Sequence, residues 1–298
     1  MATDEPESRR YCGRLFTSDE IQRVRGLIAA VPKRNRAQLS REVCEILDGL
    51  RPDGCRKEMS CRVAMLRMER DGLITLPPPQ NGNANGRHQP RFTSASDAQD
   101  PISLPAGRLG VLTCRIVDDR RDSSLWNELI ERYHYLGYKP LPGAQLRYFV
   151  FSGSRLLAAL GFGASAWKVA PRDRFIGWSS ETRLQNLSLV VNNARFLILP
   201  WVTSRNLASR ILSAVAKRLP LDWQKRYGYE PVLLETFVDQ DRFRGTCYRA
   251  ANWVHVGGTQ GRGKLDRQHR HRLPLKAVFL YPLRRDFCRR LCSPSAPH

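Results

Sequence analysis

Residues 231–258 read PVLLETFVDQDRFRGTCYRAANWVHVGG, and the fold class turns on them. Val232, Leu233, Leu234 and Phe237 make a short, nearly unbroken apolar run behind Pro231, the signature of a strand covered on both faces. Residues 242–251 then read as a helix, and Trp253–Gly258 as another strand. A buried strand, a helix and a strand in close succession imply a sheet with helices packed against it.

Working outward, Asn206–Leu219 is a strong helix, ended by Pro220 and extended past it by Asp222–Arg226. Leu146–Ser152 and Arg155–Ala164 are two strands joined at Gly153-Ser154, a hairpin signal. Leu109–Val117 is apolar enough for a strand. Ser123–Tyr135 is a helix that turns Trp126, Leu129, Ile130 and Tyr133 inward. Trp167–Gly177 is a charged excursion or short helix. Arg183–Val191 and Arg195–Ile198 read as strands on either side of the paired Asn192 and Asn193, which look like a turn; Ala277–Pro282 is the last strand. This order predicts an α/β domain with a mixed sheet over residues 102–290, with 291–298 as a tail.

Ahead of it lies a different pattern. Residues 1–14 look loose. A helix opens at Thr17 or Ser18, with Asp19 and Glu20 in its first turn, and closes at Pro32. Arg36–Leu50 and Lys57–Asp71 are two more helices, followed by a strand-like tail at Leu73–Leu76. Three helices and a tail over residues 15–76 resemble a winged-helix or helix-turn-helix unit. Three consecutive prolines from Pro77, then a run rich in Asn and Gly, predict a flexible linker over 77–101.

Charge narrows the function. The 298 residues carry 49 basic and 28 acidic side chains, formally +21, and 41 of the basic residues are arginine. Such an excess calls for an anionic partner, and arginine's fork suits phosphate and guanine. DNA is the first expectation, with RNA and an acidic protein partner behind it. The polar start and the lack of any long apolar run predict neither a signal peptide nor a membrane span, so a cytoplasmic protein is expected. The spacing of the eight cysteines suits reduced thiols better than disulfides or zinc.

Two resemblances follow from particular motifs. Leu234–Asp239, the helix holding Cys247, Tyr248 and Ala251, and Asn252–Gly257 resemble the closing block of the GCN5-related acyltransferase fold. That likeness implies an acyl-coenzyme A site on a small-residue loop before a helix. The corresponding run here, Arg205 to Arg210, has Ala208 at the glycine position and the bulky Arg210 at the last small position, which argues against coenzyme A. The second likeness spans most of the chain. His134–Gly137, Phe175–Trp178, Asn192–Ile198, Gly245–Tyr248, Ala250–Trp253 and Gly258–Gly263 resemble the Druantia anti-phage DruA family, which also includes transposase-associated proteins. It implies a role in defence or mobile DNA and brings no reaction with it.

Whether the protein is an enzyme stays open. Tyr248 is a candidate nucleophile on a DNA phosphate, with Arg244 and Arg249 as neighbours to steady developing charge; core packing is its plain alternative. Glu235 and Asp239, four apart, are candidate metal ligands, and a nuclease reading would bring Mg or Mn to them; no other cofactor is expected. His134, at a helix end, is a candidate base or phosphate contact. For nucleic acid, Asn192, Asn193 and Asn252 offer amides to base edges, Trp178 offers a stacking face, and Arg195 follows the asparagine pair. The strongest signal is the glycine-rich turn with Thr259, Arg262 and Lys264, leading into Arg267, Arg270 and Arg272. In the helical unit, Arg34, Arg36, Arg56 and Lys57 decorate the presumed reader.

Overall fold

The computed structural model describes residues 8–30, 34–49, 56–80, 90–261 and 274–294. The chain divides between residues 85 and 86 into two compact units.

The first unit begins with a hairpin, β1 (Arg9–Tyr11) and β2 (Arg14–Phe16), and continues with α1 (Ser18–Ala30), α2 (Arg36–Ile46) and α3 (Glu58–Arg70). The helices stand where the apolar periodicity put them. Asn35 and Gln38 form a reciprocal capping box at the start of α2. The hairpin corrects the expectation of a loose N-terminal stretch over its described part. Cys12 and Gly13 both take positive φ, 48° and 85°, the two-residue turn whose twist suits antiparallel strands. Strand alternation then buries Tyr11 and Phe16 against Val24, Val43 and Met65. Conversely, Leu73–Leu76 forms no strand; it buries Ile74 and Leu76 as irregular chain. Among the described residues the strands of this unit therefore precede the helices and do not follow them as a wing.

The second unit is a seven-stranded mixed sheet in the order β3-β4-β5-β6-β7-β9-β8. Its strands are β3 (Leu112–Ile116), β4 (Leu146–Ser152), β5 (Arg155–Ala164), β6 (Val190–Ile198), β7 (Leu233–Asp239), β8 (Val254–Gly258) and β9 (Lys276–Pro282). All neighbours are antiparallel except β6 and β7. The helices are α4 (Arg120–Tyr133), α5 (Ala170–Ile176), α6 (Ser180–Asn186), α7 (Leu207–Tyr227), α8 (Thr246–Ala250) and α9 (Phe287–Cys292). The mixed α/β class agrees with the sequence reading.

Four local differences have physical causes. Asn192 and Asn193 lie inside β6 and make no turn, because the β5 ladder runs past them and the register shifts only at Gly161/Phe162, leaving Ala194 as the extra residue. Residues 180–186 form α6, capped by the Ser179 hydroxyl accepting the Thr182 N–H. Residues 242–245 are a turn over Asp239, and α8 starts only after Gly245, whose φ is 67°. A Cβ there would lie 2.6 Å from the Phe279 ring, so glycine is what lets α8 approach β9. Finally, the described end of the proposed linker is docked. Residues 94–96 form a short 3-10 turn, and the Thr93 N–H and hydroxyl both donate to Glu128 on α4, at 2.7 and 2.8 Å.

Candidate functional site

The parallel pair β6–β7 is short. It is made through Val190–Asn192 and Leu233–Glu235 only. The extra residue Ala194 re-aims β6 just beyond that point, and the two strands part. Between them opens a cleft of about 460 Å³, lined by Asn193–Ala194 and Phe196–Ile198 on one side and Thr236–Val238 on the other, closed by Phe243–Tyr248 and Tyr133–Leu136. That volume falls among ordinary small-ligand sites, about 300–1,000 Å³.

Three side chains make its polar floor. The buried Tyr248 hydroxyl donates to Asn193 Oδ1 at 2.9 Å. The Thr236 hydroxyl donates to the Asn193 carbonyl at 3.0 Å. The Asn193 amide donates to the Arg195 and Gly161 carbonyls, at 3.1 and 3.4 Å. Burial pushes the Tyr248 phenol well above its ordinary range. No base contacts it, Arg249 lies over the Phe279 ring instead, and Arg244 and Arg249 are both exposed. The nucleophile reading of Tyr248 is thus corrected: it holds its proton and organises the floor.

His134 lines the same cleft, but not as a cation. Its Nδ1 accepts the Leu136 N–H at 3.2 Å. Burial first, then the nearby Arg195 charge, lowers its pKa from the ordinary 6.5 to about 4. The expected help from the helix end loses to desolvation. The unfolded chain takes up this proton first as pH falls, so the neutral imidazole's contribution is complete above pH 6.5 and is lost between 6.5 and 4. Acid melts over that window are expected to show a loss of about 1–3 kcal/mol after discounting for partial exposure, which His134→Gln removes. An unchanged acid limb in that variant would refute the assignment.

The cleft mouth is aromatic and cationic. The Tyr135 ring stacks on His134 at 4.9 Å and meets Phe243 edge-on at 5.3 Å, while the Arg242 guanidinium sits 5.3 Å from the Tyr135 centroid. Tyr135 and Phe243 are exposed. Arg244 lines the cleft beside Arg242, Arg249 lies over the Phe279 ring, and none of the three meets a carboxylate among the described residues. Arg195 is buried and donates to the Ala194 and Gly137 carbonyls, so its role is to hold the wall.

The first unit differs. Arg34 pairs with Glu42 at 2.6 Å, Arg36 with Glu69 at 3.6 Å and also with the Pro77 carbonyl, and Arg56 with Glu45. Each of these arginines, expected to face phosphate, thus has a carboxylate neighbour; Lys57, at the start of α3, is exposed. Residues 1–85 hold 15 basic and 12 acidic side chains, whereas residues 86–298 hold 34 and 16. Nearly the whole charge excess belongs to the second unit.

Other expected site residues are placed elsewhere. Glu235 is fully buried and bonds Arg172 at 2.8 Å and the Ala166 N–H at 2.7 Å. Asp239 lies four residues further along the extended β7, about 13 Å away at strand rise, where it accepts the Asp241 N–H. At that separation the two carboxylates are too far apart to hold one ion between them, which corrects the paired metal-ligand expectation. Trp178 is buried, with its N–H on Asp173 and Arg172 over its ring, so it offers no face to a base. Asn192 pairs with Glu235 in the ladder and its Oδ1 is buried without a partner. Asn252 makes the positive-φ turn before β8, and Thr259 bonds Lys276 to end the β8–β9 ladder. Arg262, Lys264, Arg267, Arg270 and Arg272 lie outside the described residues. At the end of the basic tract, Arg284, Arg289 and Arg290 converge on Asp286 and hold its carboxyl at about 2. Sequence reading passed over Tyr135, Phe243 and Arg242; two aromatics and an arginine separated by a hundred residues leave no local signal.

The loop ahead of α7 is also changed. Arg210 does not project across it; its guanidinium binds the Ala106 and Gly110 carbonyls. Instead, residues 102–106 bridge the loop. Ile102 donates to Trp201 and accepts the Thr203 N–H, both at 2.8 Å, and Ala106 donates to Arg205 at 3.4 Å. The Thr203 amide is therefore already occupied.

Comparison with known proteins gives one family and a set of distant folds. Residues 67–277 match the family described as Druantia protein DruA; the hairpin, α1 and α2 lie outside the matched segment. No curated protein matches. Among solved structures, the chain is similar to the aminoglycoside acetyltransferase AAC(6')-Ib in complex with coenzyme A, with 14% identity, 60% of this chain and 98% of that one covered, and a TM-score of 0.39. It is also similar to a spermidine N-acetyltransferase SpeG chimera from Vibrio cholerae and hSSAT (10% identity, 58% and 95% covered, TM-score 0.36). A third is the ribosomal-protein-S18-alanine N-acetyltransferase of Escherichia coli (10%, 58% and 94%, 0.35). No helix among the described residues is long and apolar enough to cross a membrane.

Proposed function

The chain belongs to the Druantia protein DruA family, and from that membership we propose that it is a DNA-binding component of anti-phage defence, engaging the phosphate backbone through its second unit. One observation carries the reading. Arg244 in the lining and Arg242 on the Tyr135 ring stand at the mouth of an aromatic-lined cleft, and Arg249 follows on α8 over the Phe279 ring, all three with no carboxylate partner among the described residues, whereas Arg34, Arg36 and Arg56 of the first unit each pair with a carboxylate. Unpaired guanidinium groups beside exposed rings suit a nucleic-acid strand, which offers phosphates and flat bases together.

A salt titration tests this. Binding of a duplex DNA by the full chain is expected to weaken linearly in log–log form as salt rises, as counterions released by each phosphate contact demand. A flat titration overturns the proposal. Acyl transfer is the second reading, favoured by the buried tyrosine hydroxyl at the point where β6 and β7 part. Calorimetry with acetyl-coenzyme A separates the two: silence is expected, and micromolar binding would put acyl transfer first.

A further inference from the structure

We propose that the cleft between β6 and β7 receives a single unstacked DNA base, and that it favours a base carrying an exocyclic amino group over thymine. The inference rests on the DNA-binding reading and adds the ligand's chemistry to it.

The hydrogens on the floor are all committed. Tyr248 gives its proton to Asn193 Oδ1, Thr236 gives its own to the Asn193 carbonyl, and both Asn193 amide hydrogens go to backbone carbonyls. What the floor still offers is lone pairs: the second on Asn193 Oδ1, those on the Thr236 oxygen, and the one on the Tyr248 oxygen that the Thr236 hydroxyl, 3.5 Å away, leaves open. A guest must therefore present a donor. Adenine, cytosine and guanine carry an amino group on an edge. Thymine carries its N–H between two carbonyl oxygens, which would face these lone pairs.

The rest of the cleft suits the same guest. Tyr133, Phe196 and Phe243 supply flat apolar wall, and Tyr135 with Phe243 forms an exposed aromatic rim. Base-on-aromatic stacking stabilises such a guest by about 1–3 kcal/mol. Arg242, on the Tyr135 ring of the rim, and Arg244, in the lining, stand where the phosphates flanking a base turned into the cleft would lie. Extruding a base from a duplex has a cost that falls when the base is already unpaired, so a bulge is the sensitive substrate.

The test uses the full chain and duplexes identical except at one central bulge, holding adenine, thymine or an abasic sugar. The adenine bulge is expected to bind about tenfold tighter than the thymine or abasic bulge, and Tyr248→Phe is expected to shrink the adenine-to-thymine ratio. Should that variant fail to fold, the wild-type ratio decides alone. Equal affinity for all three bulges, with salt-dependent binding intact, overturns the base pocket and leaves the DNA-binding reading standing. Absence of binding to every duplex overturns both.

Discussion

Glu235→Gln is expected to lower the melting temperature of the second unit by about 10 °C, because it breaks a buried ion pair from one side. Glu235 and Arg172 are both fully buried and bond at 2.8 Å. Arg172 also holds Asp173 and the Ala166 carbonyl, and Asp173 in turn holds Arg183 and the Trp178 N–H. This network fastens the segment around α5 to the centre of β7. Burial pushes the Glu235 carboxyl above its ordinary range, and the Arg172 charge and the Ala166 N–H offset this only in part. Removing the negative charge leaves a buried guanidinium, which has no neutral form available to it, with Asp173 as its remaining carboxylate partner, at a cost of about 3 kcal/mol. The double variant Arg172→Met with Glu235→Leu is expected to recover much of that loss, since the apolar pair avoids desolvating two charges. Calorimetric melts of the three proteins check the claim. A Glu235→Gln protein that melts like the wild type would show that the pair contributes nothing, and would reopen the question of why a carboxylate stands on the most buried strand.

That strand shows what the sequence could and could not reveal. The buried run Val232–Phe237 announced a central strand correctly, because apolar content and length are local properties. Glu235 within it was legible only as an acidic residue near arginines. That its partner is Arg172, 63 positions upstream, depends on how α5 folds back over the sheet. The asparagine pair was misread for a related reason. Asn-Asn between apolar runs has turn composition, but the β5 ladder holds both residues extended and the Tyr248 hydroxyl bonds the Asn193 side chain. The N-terminal hairpin was hidden by its arginines, although Cys12-Gly13 between Tyr11 and Phe16 carries the turn. The cleft itself was illegible. It exists because β6 gains one residue at Ala194 and separates from β7, and a bulge of one residue leaves no composition mark.

The same distinction between local and assembled features governs the charge, and there the largest effect on binding is expected. Replacing Arg242, Arg244 and Arg249 together by serine should weaken duplex DNA binding about 10- to 100-fold near 0.1 M salt and reduce the log–log salt slope by about 2 to 3, one contact for each arginine removed. Stability should change little. These side chains are exposed, and only ring contacts at 5.3 Å and 5.8 Å hold two of them. The matching triple variant in the first unit, Arg34, Arg36 and Arg56 to serine, should do the reverse. Each of those arginines has a carboxylate partner, so their loss removes intramolecular contacts while releasing few counterions. The salt slope should hold and the melting temperature should drop by a few degrees. Fluorescence anisotropy across a salt series, with a melt on each protein, separates the two outcomes. If the first-unit variant lowers the slope and the cleft variant does not, DNA is read by the helices, and the unpaired arginines at the cleft mouth serve some other anion.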